Sequence, residues 1–240
     1  MAKTVRAPEP SVHGAAIELL QRHSLTTLVQ QELERQIVDG KLAAGTKLNE
    51  ADIAAELRVS RGPVREAFRA LDQSGLVRTE KNRGVFVRQV TLEEAHEIYE
   101  VRAALDELIG RLAAQRISPE QLARLKDIVK KMYVAAKALD SVSYYPLNIE
   151  FHEVLAEASG NNALIEYYRR IVNELNLYRR EVLARDSRSI PISAKNHDDI
   201  VKAVAKGDSA LAGRLLFDHV IEGRDRLART LQAESHRGKN

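Results

Sequence analysis

The chain contains no cysteine, and this absence excludes several kinds of structural and reactive site. Without a thiol among its 240 residues, it can form neither a disulfide nor a thiolate metal site. A metal would have to be held by nitrogen and oxygen ligands, chiefly those of histidine. Because a chain without disulfides suits a reducing compartment, we predict a cytoplasmic protein.

Long apolar runs are absent as well. No stretch is long enough to span a bilayer, and the first residues lack the pattern of a signal peptide, so we predict neither membrane insertion nor export. With 44% hydrophobic and 30% charged residues, the composition is that of an ordinary soluble protein. A chain of 240 residues has room for two domains.

Among the features that are present, the segment Ser60–Arg69 is the most informative. Ser60 is placed to cap a helix, and Pro63 suits its first turn because no backbone donor is needed there. Arg61, Arg65 and Arg69 recur every four residues and therefore share one helix face. A capped helix with one basic face is typical of a helix that enters a DNA groove.

The flanking residues complete a winged helix-turn-helix. Upstream, Asn49 is placed to cap a short helix from Glu50 to Leu57, which a tight turn joins to the basic helix. Downstream, Gly75 stands where helices commonly end. The segments Leu76–Thr79 and Val85–Arg88 then predict two strands around a hairpin loop.

Charge is concentrated on this unit. Residues 58–88 carry eight lysines and arginines against three acidic residues, whereas residues 89–240 carry 23 of each. A run of charge can simply be a solvated helix face. Its concentration on the candidate DNA-reading element, however, is what phosphate binding requires.

The whole segment Leu25–Arg88 resembles the DNA-binding domain of the GntR family of bacterial transcription regulators. The resemblance rests on residues 48–57, 59–67, 75–77 and 84–87, together with Leu71. It implies that Ser60 holds a phosphate, that Arg61 and Arg65 contact bases or their phosphates, and that Gly84 lies at the wing tip. The full set of predicted DNA-binding residues is Ser60, Arg61, Pro63, Arg65, Arg69, Lys81, Arg83 and Gly84.

One departure from the family concerns the helix before the basic one. Some members of the family have a basic DNA contact early in that helix, where this chain has Glu50, Ala51 and Asp52. The resemblance therefore does not extend a DNA contact to that helix.

The remaining residues predict an all-α antiparallel bundle, so the fold class is mainly α. Capping boxes at Thr91–Glu94 and Ser118–Gln121 begin the first two helices. The first helix has apolar residues at three- and four-residue steps: Ile98, Val101, Leu105, Leu108 and Leu112. Six helices are predicted. The first begins at Thr91 and the second at Ser118, and the other four span Tyr145–Ala158, Asn162–Ala184, Ser193–Ala205 and Ser209–Leu231.

These elements predict four segments along the chain. Residues 1–12 form a disordered tail, residues 13–90 the winged helix-turn-helix domain, residues 91–233 the helical bundle and residues 234–240 a second tail. A short amphipathic piece, Ala15–Arg22, is expected to pack on the winged domain. We find no internal repeat.

Three histidines lie on three different predicted helices of the bundle: His152, His197 and His219. Asn148 precedes His152 by four residues and projects from the same helix face. Helices of a bundle can bring such residues together into a metal site for Zn, Ni or a similar divalent ion. Spacing alone does not distinguish such a site from three unrelated histidines.

Residues 91–233 resemble the FCD domain, the helical effector-binding domain of FadR-like GntR regulators. That domain carries an Asp-x-x-x-His on one helix and two later histidines, which together hold a metal. The matching residues here are Asn148, His152, His197 and His219, with an amide in place of the carboxylate. The resemblance implies a divalent transition metal, Zn or Ni foremost with Mn as a further option, bound less tightly and with one more positive charge at the site.

Arg102 is the candidate effector contact. It lies between apolar neighbours on the first bundle helix, and a buried guanidinium pairs well with a carboxylate or phosphonate. The resemblance implies the same role, because an arginine of this helix commonly holds an anionic effector in FCD domains. The alternative is a surface ion pair with Asp106, four residues later.

Taken together, these features predict a DNA-binding transcription regulator, most simply a repressor, that binds a pseudo-palindromic operator as a homodimer. A small carboxylate or phosphonate at the metal site would control its affinity for DNA. One alternative is a metal-dependent hydrolase bundle fused to a DNA-binding domain, although no His-Glu-x-x-His pattern supports it. Another is a DNA-binding protein without a ligand.

Overall fold

A computed structural model describes residues 25–183 and 189–237. The chain divides into two compact units between Arg88 and Gln89, close to the predicted boundary after residue 90. The predicted tail over residues 1–12 and the amphipathic segment Ala15–Arg22 lie outside the described residues.

The first unit is a winged helix-turn-helix. Its elements are α1 (Leu25–Val38), β1 (Lys47–Leu48), α2 (Glu50–Glu56), α3 (Arg61–Gln73), β2 (Val77–Glu80) and β3 (Gly84–Val87). The strands form an antiparallel sheet in the order β1-β3-β2, with Leu48 opposite Val85 and Arg78 opposite Phe86. The sequence predicted the hairpin but not β1, because two residues are too few to show an alternating pattern.

Local signals explain the two helices of the helix-turn-helix. The Asn49 side chain caps α2 by accepting a hydrogen bond from the backbone N–H of Ala51 at 2.9 Å. Ser60 occupies the cap position of α3, but its hydroxyl makes no capping hydrogen bond there, contrary to prediction. The reason is Pro63, which occupies the third helical position, where a serine cap would normally find its N–H donor. Gly75 follows α3 with φ 77°, as predicted.

The second unit is helical throughout its described part. It contains α4 (Leu92–Arg116), α5 (Pro119–Lys137), α6 (Ser141–Ala158), α7 (Asn162–Leu183), α8 (Ile190–Ala205) and α9 (Ser209–Arg237). Large side chains that are completely or almost completely buried form its core, among them Leu125, Met132, Phe151, Leu155, Ile200 and Leu216. Both predicted capping boxes are present, at Thr91 with Glu94 and at Ser118 with Gln121.

Three helix boundaries differ from the predicted ones. Helix α6 begins at Ser141 rather than Tyr145, because Asp140 accepts hydrogen bonds from the N–H groups of residues 142 and 143. Helix α8 begins at Ile190 rather than Ser193, because Pro191 lies in its first turn and not in a loop. Helix α9 continues to Arg237, past the predicted end at Leu231 and into the predicted tail over residues 234–240, since neither glycine nor proline interrupts residues 224–237. Residues 238–240 lie outside the described residues.

Helix α4 buries a face that overlaps the predicted one only in part, since Ile98, Leu105 and Leu112 pack inward as predicted. Val101 and Leu108 are 52% and 41% exposed, although the apolar stripe predicted both to be in the core. The buried face instead carries Tyr99, Arg102 and Asp106, followed by Ile109 and Ala113. Polar residues thus point into the bundle from the middle of this helix.

Close packing between α4 and α9 explains this orientation. A Cβ atom added to Gly110 would lie 2.6 Å from the carbonyl oxygen of Ala212, and one added to Gly213 would lie 2.9 Å from that of Glu107. Only glycine permits such a close approach of two helix backbones. The small residues therefore fix which face of α4 is buried, and this face carries the residues of the site described below.

Candidate functional site

The basic face of α3 is exposed, as predicted. Arg61, Arg65 and Arg69 are accessible to solvent. The opposite face, which carries Val64, Ala67, Phe68 and Leu71, is buried in the core of the first unit. This division of the helix leaves the arginines available to a nucleic acid.

Arg65 is held by a carboxylate from the preceding helix. Its Nε and Nη2 groups donate hydrogen bonds to the two carboxylate oxygens of Glu50, at 3.1 and 2.9 Å. The bond from Arg65 also lowers the pKa of Glu50 below its usual value, so this carboxylate is ionised at neutral pH. Glu50, an acidic residue where some members of the resembled family have a basic one, thus pairs with Arg65. The sequence did not reveal this pair.

The wing presents a second set of cations. Lys81 and Arg83 are exposed in the three-residue loop between β2 and β3. Asn82 and Gly84 have positive φ angles of 62° and 111°, which shape this tight loop. Arg83 also lies over the ring of Phe86, with 5.7 Å between the guanidinium carbon and the ring centroid.

The three bundle histidines come together, although spacing alone could not decide this. His152 on α6, His197 on α8 and His219 on α9 offer ligand atoms that all lie within 4.8 Å of one another. All three side chains are buried, His197 completely. Such a cluster of imidazoles inside a bundle is a suitable donor set for a divalent transition metal.

Two ring nitrogens of this cluster have no partner within the described part of the chain. The Nε2 atom of His197 and the Nδ1 atom of His219 are buried and have no hydrogen-bond partner among the described residues. An unpaired buried polar atom costs free energy, so such an atom usually has a function. The other nitrogen of His197 lies 3.2 Å from the Tyr144 hydroxyl. When Nδ1–H donates to that oxygen, Nε2 carries the lone pair that a metal needs.

The electrostatics keep the imidazoles of His197 and His219 neutral. Burial lowers the pKa of His197 and His219 well below 6.5, and the neighbouring histidines lower it further. Neutral imidazole is the form that ligates metals. The chemistry of these residues therefore fits a metal site.

Arg102 and Asp106 form a buried ion pair next to the cluster. The Nε group of Arg102 lies 3.1 Å from one oxygen of Asp106, and the second oxygen lies 3.3 Å from Nδ1 of His152. Burial raises the pKa of Asp106, but Arg102 and His152 outweigh it and hold that pKa below its usual value. From the sequence, an Arg102–Asp106 ion pair on the helix surface was the alternative to the effector role of Arg102. In the structure this pair forms but is buried, and Asp106 also contacts His152.

A cavity of ≈60 Å³ opens beside these residues. Arg102, Asn148 and His219 line it, so the predicted effector contact and two of the predicted metal-site residues share one space. Tyr144 and Ser193 also line it, as does Arg226 on α9, which the sequence did not single out. Its signal was its position seven residues after His219, two helical turns along the same side.

Comparison with known proteins adds the family. Residues 25–87 match the family described as bacterial regulatory proteins, gntR family, and residues 97–222 match the FCD domain. The chain is 31% identical over 208 residues to the "Probable D-xylose utilization operon transcriptional repressor" of Paenarthrobacter nicotinovorans, covering 86% of this chain and 90% of that protein. It is 30% identical over 217 residues to the "Gluconate operon transcriptional repressor" of Bacillus subtilis, covering 87% of each.

Solved structures agree with the two-domain architecture. A GntR transcriptional regulator from Rhodococcus sp. RHA1 superposes with a TM-score of 0.67 at 31% sequence identity, covering 85% of this chain and 98% of that one. Among the described helices, none combines the length with the apolar content that a membrane span requires.

Proposed function

Because the chain belongs to the GntR family of bacterial regulatory proteins and carries an FCD domain, we propose that it is a repressor whose operator binding is controlled by a small anion. Its family and relatives are transcription regulators, so it is a DNA-binding regulator and not an enzyme. The names of both relatives support repression as the direction of control. The observation that carries the effector proposal is the buried histidine cluster with unpaired ring nitrogens, beside a cavity that Arg102 lines.

DNA binding is proposed for the two cationic surfaces of the first unit. Arg61, Arg65 and Arg69 would enter the major groove on α3, while Ser60 and Pro63 set the start of that helix against a phosphate. Lys81, Arg83 and Gly84 would bring the wing to the neighbouring backbone. Two copies in a homodimer would read the two halves of a pseudo-palindromic operator, since protein and operator symmetry match.

For the metal, His152, His197 and His219 are the proposed ligands, with Asn148 as a fourth. A divalent ion such as Zn²⁺ or Ni²⁺, or alternatively Mn²⁺, would supply positive charge and an open position for an anionic oxygen. Asp106 would orient His152 through its Nδ1 atom, as second-shell carboxylates do for metal-binding histidines. Tyr144 would do the same for His197.

For the effector, Arg102 is the proposed anchor. Its pair with Asp106 uses Nε, while its side chain lines the cavity, so the two interpretations of Arg102 are compatible. A guanidinium fixed in this way is suited to a carboxylate or phosphonate. Only four residues separate β3 of the wing from helix α4, which carries Arg102. A ligand that binds one arrangement of the two DNA-binding units more tightly than another would shift the population toward it.

The first test is the metal content of the purified protein. After removal of metal with a chelator and reloading with zinc, we expect about one ion per chain by elemental analysis. His197→Ala should lose this ion, whereas His96→Ala, at a histidine of α4 outside the cluster, should retain it. Zinc retained by His197→Ala, or none bound by the unaltered protein, would contradict the metal site.

The second test is a thermal-shift screen of small carboxylates and phosphonates on the zinc-loaded protein. A hit should raise the midpoint of unfolding, and Arg102→Gln should abolish that increase. Because this substitution removes the guanidinium that pairs with Asp106, circular dichroism and zinc content must show that the variant is folded. A hit that also releases the protein from a selected operator duplex would support the control mechanism. An effect on the midpoint without any effect on DNA binding would contradict it.

A further inference from the structure

One face of the three-stranded sheet in the first unit carries cations around an aromatic ring. Lys47 on β1 is the cross-strand partner of Phe86 on β3, and Phe86 is also the partner of Arg78 on β2. Directly opposed residues of an antiparallel sheet point to the same face, so these three side chains lie in one row. The opposite face carries Leu48 and Val87, which are buried. The row from Lys47 to Arg78 therefore lies on the outer face of the sheet.

The ring of Phe86 holds Lys47 beside the tip of the wing. The Lys47 ammonium lies 5.9 Å from the ring centroid, and the guanidinium carbon of Arg83 lies 5.7 Å from it. A cation at such a distance is attracted to the face of the ring. A Cβ atom added to Gly84 would lie 3.1 Å from the Cε atom of Lys47, so the lysine side chain crosses over this glycine. Lys47 of β1 thus lies against Arg83 and Gly84, which are proposed to bring the wing to DNA.

The cations beside Phe86 exceed the acidic groups that pair with them. Glu80, the last residue of β2, pairs with Arg78 at 2.9 Å and also with Arg83. One carboxylate is therefore shared between two arginines. In the described part of the chain, no carboxylate pairs with Lys47. A surface with such an excess of positive charge attracts a phosphate backbone.

An exposed lysine on an edge strand also has an ordinary structural explanation. In the order β1-β3-β2, β1 is an edge strand, and a lysine there opposes pairing with the sheet of another chain. That role needs only a charge that points outward. It does not account for a side chain that lies over Phe86 and across Gly84. These two contacts favour a role at the wing.

Building on the proposed function, we infer that Lys47 is a further DNA-binding residue, which contacts a backbone phosphate beside the wing. Phe86 is its positioning residue, because a lysine already held over the ring loses less conformational freedom when the phosphate binds. A phosphate contact carries no sequence information. Lys47 therefore contributes affinity for DNA of any sequence and leaves the choice of operator to α3.

The test is the salt dependence of DNA binding by the full chain. Fluorescence anisotropy measures binding to a selected operator duplex and to a random duplex at several salt concentrations. Each phosphate contact contributes about 0.9 to the slope of log affinity against log salt. We expect Lys47→Gln to lower this slope by about one for both duplexes, and to weaken both about 10-fold at low salt. Lys47→Arg should keep the slope of the unaltered protein.

Two further variants separate the contact from total charge and from positioning. Lys41→Gln removes the same charge from the loop between α1 and β1, where Lys41 is exposed and acts on Glu32 of α1, so the slope should not change. Phe86→Leu keeps every cation but removes the ring. It should weaken both duplexes about 2- to 5-fold without changing the slope. The thermal midpoint of each variant shows whether the domain remains folded.

The outcomes separate this inference from the proposed function. An unchanged slope in Lys47→Gln, or an equal decrease in Lys41→Gln, would overturn the assignment of Lys47 and leave the proposed DNA binding standing. Full affinity in a folded Phe86→Leu variant would overturn the positioning role of the ring. If the unaltered protein bound neither duplex, the proposed function and the assignment of Lys47 would fail together.

Discussion

At the scale of single residues, the ion pair between Glu50 and Arg65 gives an acidic residue beside the proposed DNA-binding surface a positioning role. In the sequence, Glu50 marked the absence of a cation at the start of α2. In the structure, both of its oxygens accept hydrogen bonds from Arg65 and fix that guanidinium in one orientation. A fixed fork is suited to bidentate readout of a base, whereas a free one favours any phosphate.

We therefore expect Glu50→Gln to lower the selectivity for the operator and to raise the affinity for DNA of any sequence. Removing one negative charge should tighten binding to random duplex DNA, and loosening Arg65 should narrow the gap between operator and random DNA. Fluorescence anisotropy across a salt series measures both quantities. Exposed ion pairs contribute little to stability, so the thermal midpoint should hardly change.

Glu66→Gln is the matched control, because Glu66 pairs with Arg69 on the same helix. It removes the same charge without releasing Arg65, so it should tighten both kinds of binding about equally. Arg65→Ala should lose operator binding while the chain remains folded. If Glu50→Gln left the ratio of operator to random binding unchanged, Glu50 would have no part in positioning Arg65.

At the scale of elements, the contact between α4 and α9 at Gly110 is the feature on which the site depends. An added methyl group would lie 2.6 Å from a backbone oxygen of Ala212 and 2.8 Å from Leu216 Cδ1. Alanine gains about 1 kcal/mol of helix propensity over glycine, but overpacking costs about 1–3 kcal/mol, and a backbone oxygen cannot move aside. Overpacking should therefore win at this position.

We expect Gly110→Ala to lower the free energy of unfolding, as measured by urea denaturation with circular dichroism. Gly62→Ala supplies the control, since Gly62 lies in α3 with no atom within 4 Å of an added Cβ. There the gain in helix propensity should act alone and leave stability equal or higher. A Gly110→Ala variant as stable as Gly62→Ala would show that the two helices separate at little cost.

The same contact explains how far the sequence could predict this fold and site. Capping boxes at Thr91 and Ser118 are local, and they identified the starts of α4 and α5 correctly. The buried face of α4 depends on residues about 100 positions away on α9, so the apolar stripe through Val101 and Leu108 was misleading. Local spacing could not predict that the three histidines lie together. Only the resemblance to FCD domains predicted it.

Asp106 and Arg226 are two residues of the candidate site that the sequence could not identify. A carboxylate four residues after an arginine is common on helix surfaces, so nothing in the pattern marked Asp106 as buried. Arg226 is one of several arginines on its helix, and only the arrangement of helices around the cavity distinguishes it. Both residues belong to the site through tertiary packing, which a local pattern does not contain.

At the scale of the whole molecule, pH should act on stability through the histidine cluster. His197 and His219 have pKa values well below 6.5 in the folded state because they are buried, whereas in the unfolded chain they titrate near 6.5. Below that pH the unfolded chain binds more protons than the folded one, so stability falls as pH falls. The limiting slope is about 1.4 kcal/mol per pH unit for each histidine.

Urea unfolding of the metal-free protein at pH 5 and pH 7 measures this loss, and His219→Gln should reduce it by about the contribution of one histidine. Zinc should raise the midpoint at pH 7 and have little effect at pH 5, because protons compete for the same nitrogens. Equal stability of the metal-free protein at the two pH values would contradict buried, neutral imidazoles.

Asp106 connects the proposed metal site with the proposed effector site. One carboxylate touches both the arginine proposed for the metabolite and a histidine proposed for the metal, so a change at either side is felt at the other. Thermodynamic reciprocity then requires that metal raises metabolite affinity by the same factor by which metabolite raises metal affinity. Under the proposed function, such a regulator would work as a coincidence detector, because its DNA binding would change fully only when the metabolite and the metal are both bound.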